Sequence, residues 1–347
     1  MLLHAPLEVE VSDHQFPSWD DELAKKPSAN PYQTSAFAQV GRTLGDRPFF
    51  FRAKDGNGSS AQLLAFRRSR RQIKAILPRI SLPFLGTLTD DISWTYGPVA
   101  VKGRRGMMGY AAIIDAVVTL NPLMNIVGVY PSPIQDLRAV FVRRGFSYVE
   151  YTDRLIDLSM PEEDIWSSID RKSARYEVKS SERKGVEVIC TSSGADFGVF
   201  YDHYKQARLA KGATVFSRHQ LETSFRLMSA AGMAHMFLAR WHSKVVAGAL
   251  LYHFAGYCVY ATPWHSDDNI VNHLGANEAI LWKMIKWCRD NGGRLFDVTP
   301  APVHPSNEQA AGIKAFKEKW GGKCHLLYRY DRIRGPLALA QKLRRGH

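Results

Sequence analysis

Gly128-Val-Tyr-Pro-Ser-Pro133 and Asp297-Val-Thr-Pro-Ala-Pro302 decide the fold. Each stretch closes a short strand, at Ile126–Tyr130 and Arg294–Val298. Each is followed by a helix, a glycine (Gly145; Gly321-Gly322) and a tyrosine-bearing strand. Working backwards from each gives the same order: a helix, an antiparallel hairpin, a third strand and a long helix. In the first half the hairpin is Arg47–Arg52 with Gln62–Arg68, the third strand precedes Tyr96-Gly97-Pro98, and the helix covers 106–120. In the second half the hairpin is His235–Trp241 with Val245–Tyr252, the strand is Tyr257–Thr262, and the helix covers 272–291. Recurrence of a whole element order reads as a duplicated α+β unit. The expected domains are 1–155 and 156–347, with the last strand returning towards the first domain.

Length and charge agree with two soluble domains. The chain has 347 residues, 45% hydrophobic and 23% charged, against roughly 100–200 residues per domain. Disordered, collagenous and coiled-coil classes are excluded by this balance. Four widely spaced cysteines without a CxxC pair fit a reducing compartment. The acidic N-terminus has no signal-peptide pattern, and the apolar stretch Met107–Tyr130 is interrupted by Asp115, Asn121, Pro122 and Asn125. A cytoplasmic protein, working in solution or at the inner membrane surface, is expected. The 46 Lys and Arg against 33 acids leave a net +13. That excess favours polyanionic partners: RNA, an anionic membrane met peripherally, or a phosphate-rich substrate.

The segment Ile313-Lys-Ala-Phe316-Lys317-Glu-Lys-Trp320 carries the sharpest chemical signal. At about 100° per residue, Ile313, Phe316 and Trp320 form one apolar stripe, and Lys317 falls inside it. An unpaired buried ammonium is costly. Lys317 therefore either snorkels to water or aims a cation into a cleft, to stabilise a phosphate or a developing oxyanion. The aligned pair in the first half, Phe141-Val142, has no cation, so only the second copy reads as catalytic. Asp297 ends a strand, where it either orients or deprotonates an amine or caps the turn before Thr299-Pro300. Tyr260 positions substrate or fills the core.

Ser159 and Glu162 have capping-box spacing, and a helix is expected from there to Lys184. On that helix Arg171, Lys172, Arg175, Lys179 and Arg183 fall within about 120°. They form either a phosphate-facing stripe or a solvated side. Arg67, Arg68, Arg70, Arg71 and Lys74, and the C-terminal Lys342, Arg344 and Arg345, are further basic runs. No histidine spacing indicates a metal, and no nucleophile elbow appears.

The element order resembles the GNAT acyltransferase fold: two tandem domains of mixed, mostly antiparallel sheet flanked by helices. GNAT enzymes hold the pyrophosphate of coenzyme A on a Q/R-x-x-G-x-G/A loop at a helix start. The corresponding Asn272-His-Leu-Gly275-Ala-Asn277 lacks the leading Gln/Arg and the second small residue, so no cofactor is expected. Over nearly the whole chain the sequence resembles the Fem family of peptidoglycan-bridge aminoacyltransferases. Carrying the resemblance are Gln33-Thr-Ser-Ala-Phe37, Tyr96-Gly97-Pro98-Val99, Lys172-Ser-Ala-Arg175 through Lys184-Gly185-Val186, Tyr260, Phe296-Asp297, and Phe316-Lys317 with Trp320-Gly321-Gly322.

The resemblance implies an aminoacyl-tRNA donor and a muramyl-peptide or other amine acceptor in cell-wall biosynthesis. It also implies an essential lysine after a phenylalanine, matched by Phe316-Lys317. Where the family often has a Trp and, four residues on, a phosphate-binding Lys, this chain has Phe37 and Gly41 with Arg42 adjacent. The long helical arm of some members is absent. An acyl-CoA N-acyltransferase, a Fem-like enzyme acting on a small amine of specialised metabolism, and a non-catalytic binding module are the competing readings.

Overall fold

The computed structural model describes residues 7–69, 90–120, 124–134 and 136–334. Up to the middle of the chain the elements are β1 (Glu8–Ser12), α1 (Trp19–Ala24), α2 (Ser35–Thr43), β2 (Arg47–Asp55), β3 (Gly58–Ser69), β4 (Asp90–Ser93), β5 (Val99–Ala100), α3 (Gly103–Leu120), β6 (Asn125–Val129), α4 (Arg138–Val142) and β7 (Ser147–Asp157). There follow α5 (Glu162–Ser168), α6 (Ala174–Arg183), β8 (Glu187–Thr191), α7 (Gly194–Ala210), α8 (Arg218–Ala230), β9 (Ala234–Trp241), β10 (Lys244–Phe254), β11 (Tyr257–His265), α9 (Asp267–Val271), α10 (Ala276–Asp290), β12 (Leu295–Asp297), β13 (Ala301–Pro302), α11 (Glu308–Glu318) and β14 (Lys323–Arg332). The chain divides into two units, Met1–Tyr151 with Leu326–His347, and Thr152–His325. The residues from Leu326 onward thus group with the first unit.

In the first unit the strands lie in the order β1-β2-β3-β4-β6-β14. Alternation sends successive side chains of a strand to opposite faces. Phe51 and Leu63 meet Tyr110, Ile113, Ile114 and Val117 of α3 in one core. Their neighbours Phe50 and Leu64 join Trp19, Ala38 and Phe66 in another. Burying each such side chain contributes about 1.5–3 kcal/mol. All neighbouring pairs are antiparallel except β4 with β6, matched at Asp91↔Asn125 and Ile92↔Ile126.

In the second unit the order is β7-β12-β11-β10-β9-β8, again antiparallel apart from one central pair, β11 with β12. Helix α10 covers this sheet, burying Ile280, Leu281, Met284, Ile285 and Cys288 against Phe237, Ala249, Leu251 and Cys258. The mixed, mostly antiparallel architecture expected from the sequence is the one observed, in both halves.

Three local expectations are corrected. The helix expected over Ser159–Lys184 is two helices, α5 and α6, separated at Ile169–Ser173. The Asp170 carboxylate accepts the Ser173 amide (2.7 Å) and hydroxyl (2.6 Å), tying a turn between the two helices. Pro161 stands before α5, and Ser159 donates its hydroxyl to Asp157 (2.6 Å), so no capping box forms. The helix expected from Asn272 begins at Ala276, after the separate short helix α9. Arg70, Arg71, Lys74, Lys342, Arg344 and Arg345 lie outside the described residues. No helix among the described residues is long and apolar enough to cross a membrane.

Candidate active site

β11 and β12 run parallel only over Tyr257↔Leu295, Cys258↔Phe296 and Val259↔Asp297. β12 then ends while β11 continues to His265, and the pairing opens between them. Two β-branched residues at the edges of this opening have left-handed backbones, Thr262 (φ 51°) and Thr299 (φ 68°). That conformation costs a non-glycine residue about 1–3 kcal/mol unless its surroundings hold it. Asp297 holds Thr299: its fully buried carboxylate accepts the Thr299 amide (2.5 Å) and the Tyr257 hydroxyl (2.8 Å). In this geometry Asp297 caps the turn.

Lys317 holds the same turn from the other side. Projecting from α11, its ammonium donates to the Thr299 carbonyl (3.0 Å), the Thr299 hydroxyl (2.7 Å) and the Pro300 carbonyl (3.0 Å). All three N–H groups are therefore used. Burial lowers its pKa to about 8, and the negative charges of Asp153 and Asp297 oppose that shift. The stripe read from the sequence is graded along the helix: Ile313 is exposed, Phe316 is half-buried and Trp320 is fully buried. The Phe316 ring stacks near Tyr260 (centroids 6.4 Å apart, planes 22°), with the Lys319 ammonium 4.8 Å from its centre. Tyr260 is 2% exposed, and its hydroxyl has no hydrogen-bond partner among the described residues.

Behind α11 the chain turns through Gly321 and Gly322, both left-handed (φ 67° and 69°). A Cβ on Gly321 would stand 2.6 Å from the Ser168 carbonyl, and one on Gly322 2.7 Å from that of Leu155. Only glycine fits both the angle and the space.

Lys317, Phe316, Tyr260 and Asp297 thus cluster where β11 and β12 part. The break between α5 and α6 brings a further pair beside them, because the Asp170 amide donates to the Lys319 carbonyl (2.9 Å). Arg171 and Lys172 are exposed in this turn and do not share the helical stripe assigned to them. Arg175 and Lys179 are on α6. Arg175 Nε is buried without an acceptor among the described residues, and Lys179 is exposed a turn further on. Arg42 belongs to the other unit, where its guanidinium donates to the Asp13 carbonyl (2.7 Å).

Sequence reasoning passed over Asp153 and Thr299. Asp153 is buried two residues before Leu155 on β7. An acid in phase with apolar strand positions was the available signal. The contact of Thr299 with Lys317 spans 18 residues and has no local signature.

The start of α10 is where a GNAT fold would receive the pyrophosphate of coenzyme A. Here Gly275 (φ 64°) is pressed against α6: a Cβ on it would lie 2.7 Å from the Glu177 carbonyl and 3.0 Å from a Glu177 carboxylate oxygen. Glu278 stands in the first helical turn, paired with Lys319 at 2.5 Å. Two carboxylates, one of them paired with Lys319, thus stand at this helix start.

The first unit has a matching opening. Beyond the β4–β6 pairing lies a cavity of about 310 Å³, walled by Phe37, Phe66 and Trp94, with Arg68, Asp91 and Gly128 at its polar side. Arg68 pairs with Asp46 (2.9 Å). Among the described residues of both units, no group of three or more His, Cys, Asp or Glu side chains is arranged to hold a metal ion.

Residues 169–315 match the family model of the Acetyltransferase (GNAT) domain. Among curated proteins none matches. The fold is similar over 96% of this chain and 99% of the other to a crystal structure of FemX, with a TM-score of 0.70 at 13% identity. It is similar over 93% and 96% to the C-terminal domain of a protein assigned as a lysylphosphatidylglycerol synthetase in Agrobacterium fabrum (TM-score 0.58, 15% identity). A tandem GNAT protein from the clavulanic acid biosynthesis pathway matches over 95% and 99% (TM-score 0.51, 12% identity). The second unit therefore carries a GNAT acyltransferase domain. The whole chain has the tandem, Fem-like GNAT fold that the sequence resemblance implied.

Proposed function

We propose that the protein is an aminoacyltransferase that forms an amide from an aminoacyl-tRNA ester and an amine acceptor, with a peptidoglycan-precursor stem peptide as the acceptor class. The observation that carries this reading is the enclosed ammonium of Lys317 at the opening between β11 and β12. The acceptor amine attacks the ester carbonyl and the N–C bond forms. The ester C–O bond then breaks, the amine loses its proton and the ribose oxygen leaves with one. Lys317 stabilises the negative charge that passes from the tetrahedral oxygen to the departing ribose. An ester is already activated, so no enzyme nucleophile is needed.

Two features support tRNA over coenzyme A as donor: the carboxylates of Glu177 and Glu278 at the start of α10, and a net charge of +13, which suits a partner with many phosphates. The resemblance to FemX supports the same donor. The test is incubation of the purified protein with radiolabelled aminoacyl-tRNA or acetyl-CoA and a panel of amines that includes muramyl peptides. Product from the tRNA arm, abolished by RNase, is expected. Acetylation that resists RNase would replace this reading with acyl-CoA transfer.

A further inference from the structure

Among the described residues six large apolar side chains are more than half exposed: Tyr176, Leu209, Phe216, Ile270, Val271 and Leu326. Four of them gather at one end of the second unit. Helix α7 runs along β11, with Phe200 and His203 against Trp264 (ring centres 5.9 and 5.1 Å). At its end Lys211 Nζ lies 3.0 Å from His265 Nε2, and the charge of Asp267 on α9 acts on the same ammonium. The end of α7 with Leu209 and the short helix α9 with Ile270 and Val271 therefore both flank the His265 end of β11.

Phe216 joins them through a pinned loop. The Tyr201 hydroxyl donates to the Phe216 carbonyl (3.1 Å), and the Phe216 amide donates to the Tyr204 hydroxyl (3.2 Å). Arg208 donates twice to the Thr214 carbonyl (3.0 and 2.8 Å). With its backbone tied down, the loop holds the Phe216 ring outward at 54% exposure, and Val271 stands at 73%.

The surrounding charge says what covers these side chains. From His203 to Gln220 the chain carries Lys205, Arg208, Lys211 and Arg218 and no carboxylate. Glu222 lies 3.6 Å from Arg218, Asp268 lies 3.7 Å from Lys244 and the charge of Asp267 acts on Lys211, which leaves Lys205 and Arg208 against Asp202. Side chains that protrude from a loop and a short helix, bordered by cations, are built to enter a headgroup layer. We propose that this face docks the second unit on an anionic lipid bilayer. The inference goes beyond amide transfer and does not depend on the donor.

The test is sedimentation of the full chain with phosphatidylglycerol/phosphatidylcholine vesicles and with phosphatidylcholine alone. Binding to the anionic vesicles is expected. A Phe216→Ser/Val271→Ser variant should lose on the order of tenfold in partitioning. Lys205→Glu should lose about fivefold and weaken the salt dependence, and serves independently if the double variant misfolds. Tyr176→Ser, exposed elsewhere on the unit, should bind like the parent. Absence of vesicle binding, or binding unchanged in both patch variants, would overturn the proposal. So would a patch variant that alters only the oligomeric state or only tRNA affinity, since the occupant would then be a second copy or the RNA.

Discussion

The two parallel-strand openings are built on one plan and finished differently. In each, a left-handed residue follows the parallel pairing on both strands: Tyr96 (φ 51°) and Gly128 (φ 61°) in the first unit, Thr262 (φ 51°) and Thr299 (φ 68°) in the second. The left-handed residue of the later strand falls two positions earlier in the first repeat, at Gly128, which aligns with Asp297, while Tyr130 aligns with Thr299. That threonine is held by Asp297 and by a lysine, whereas the first opening keeps a cavity of about 310 Å³ walled by aromatic rings. Its lining is mixed, with Arg68, Asp91, Ser93 and Thr95 beside Phe37, Phe66, Trp94 and Val127. The second opening instead brings the Lys317 ammonium near the buried carboxylates of Asp297 and Asp153.

The most severe break of that contrast is Lys317→Met. Transfer should fall by about 10²–10³ in kcat while the circular dichroism spectrum stays that of the parent. Wild-type turnover would remove Lys317 from the chemistry. The pH profile sharpens the same point. The Lys317 pKa is lowered to about 8 by burial, so its charge is present below that pH and lost above it. Activity should decline above about pH 8, approaching tenfold per unit. Asp153 raises this pKa, so Asp153→Asn should lower it further and move the declining limb to lower pH. A limb that stays in place or moves up would contradict the charge assignment.

A smaller effect is expected from Arg171→Glu/Lys172→Glu, at the turn tied to Lys319. Each lost phosphate contact should reduce the log–log salt slope of tRNA binding by about 0.7–0.9, measured by filter binding. An unchanged slope would mean that this turn meets only water. The mildest change is Arg68→Ala in the first opening. It should raise the KM for the acceptor a few-fold, on the order of 1 kcal/mol, and leave kcat unchanged. A drop in kcat instead would assign chemistry to the first unit too.

The duplicated order and the strand at each motif were legible because alternation, helical periodicity and glycine stops are local signals, whereas the parallel pairing of those strands was not. Lys317 was legible for the same reason, as a cation inside a stripe that ends in a buried Trp320. The expected basic stripe failed on one residue. Asp170 ties Ser173 into a turn between the two helices, and a wheel drawn through Ile169–Ser173 assumes a helix that is interrupted there. β1 was missed although Val9 and Val11 alternate in Glu8–Ser12, because the acids between them drew a reading as a charged terminus. The partners of Lys317 come from Thr299 and Pro300, beyond any helical spacing, and only the closed turn brings them in.

The three hydrogen bonds of Lys317 also determine when its water is removed. An ammonium in solvent must shed its hydration shell before it meets a reacting oxygen, and that loss would normally fall within the catalytic step. Here folding has already removed it, and two carbonyls and a hydroxyl stand in for the missing waters. For the transfer proposed above, Lys317 then needs only to exchange one oxygen ligand for another. The threonine turn is, in this sense, a resident surrogate for the anion.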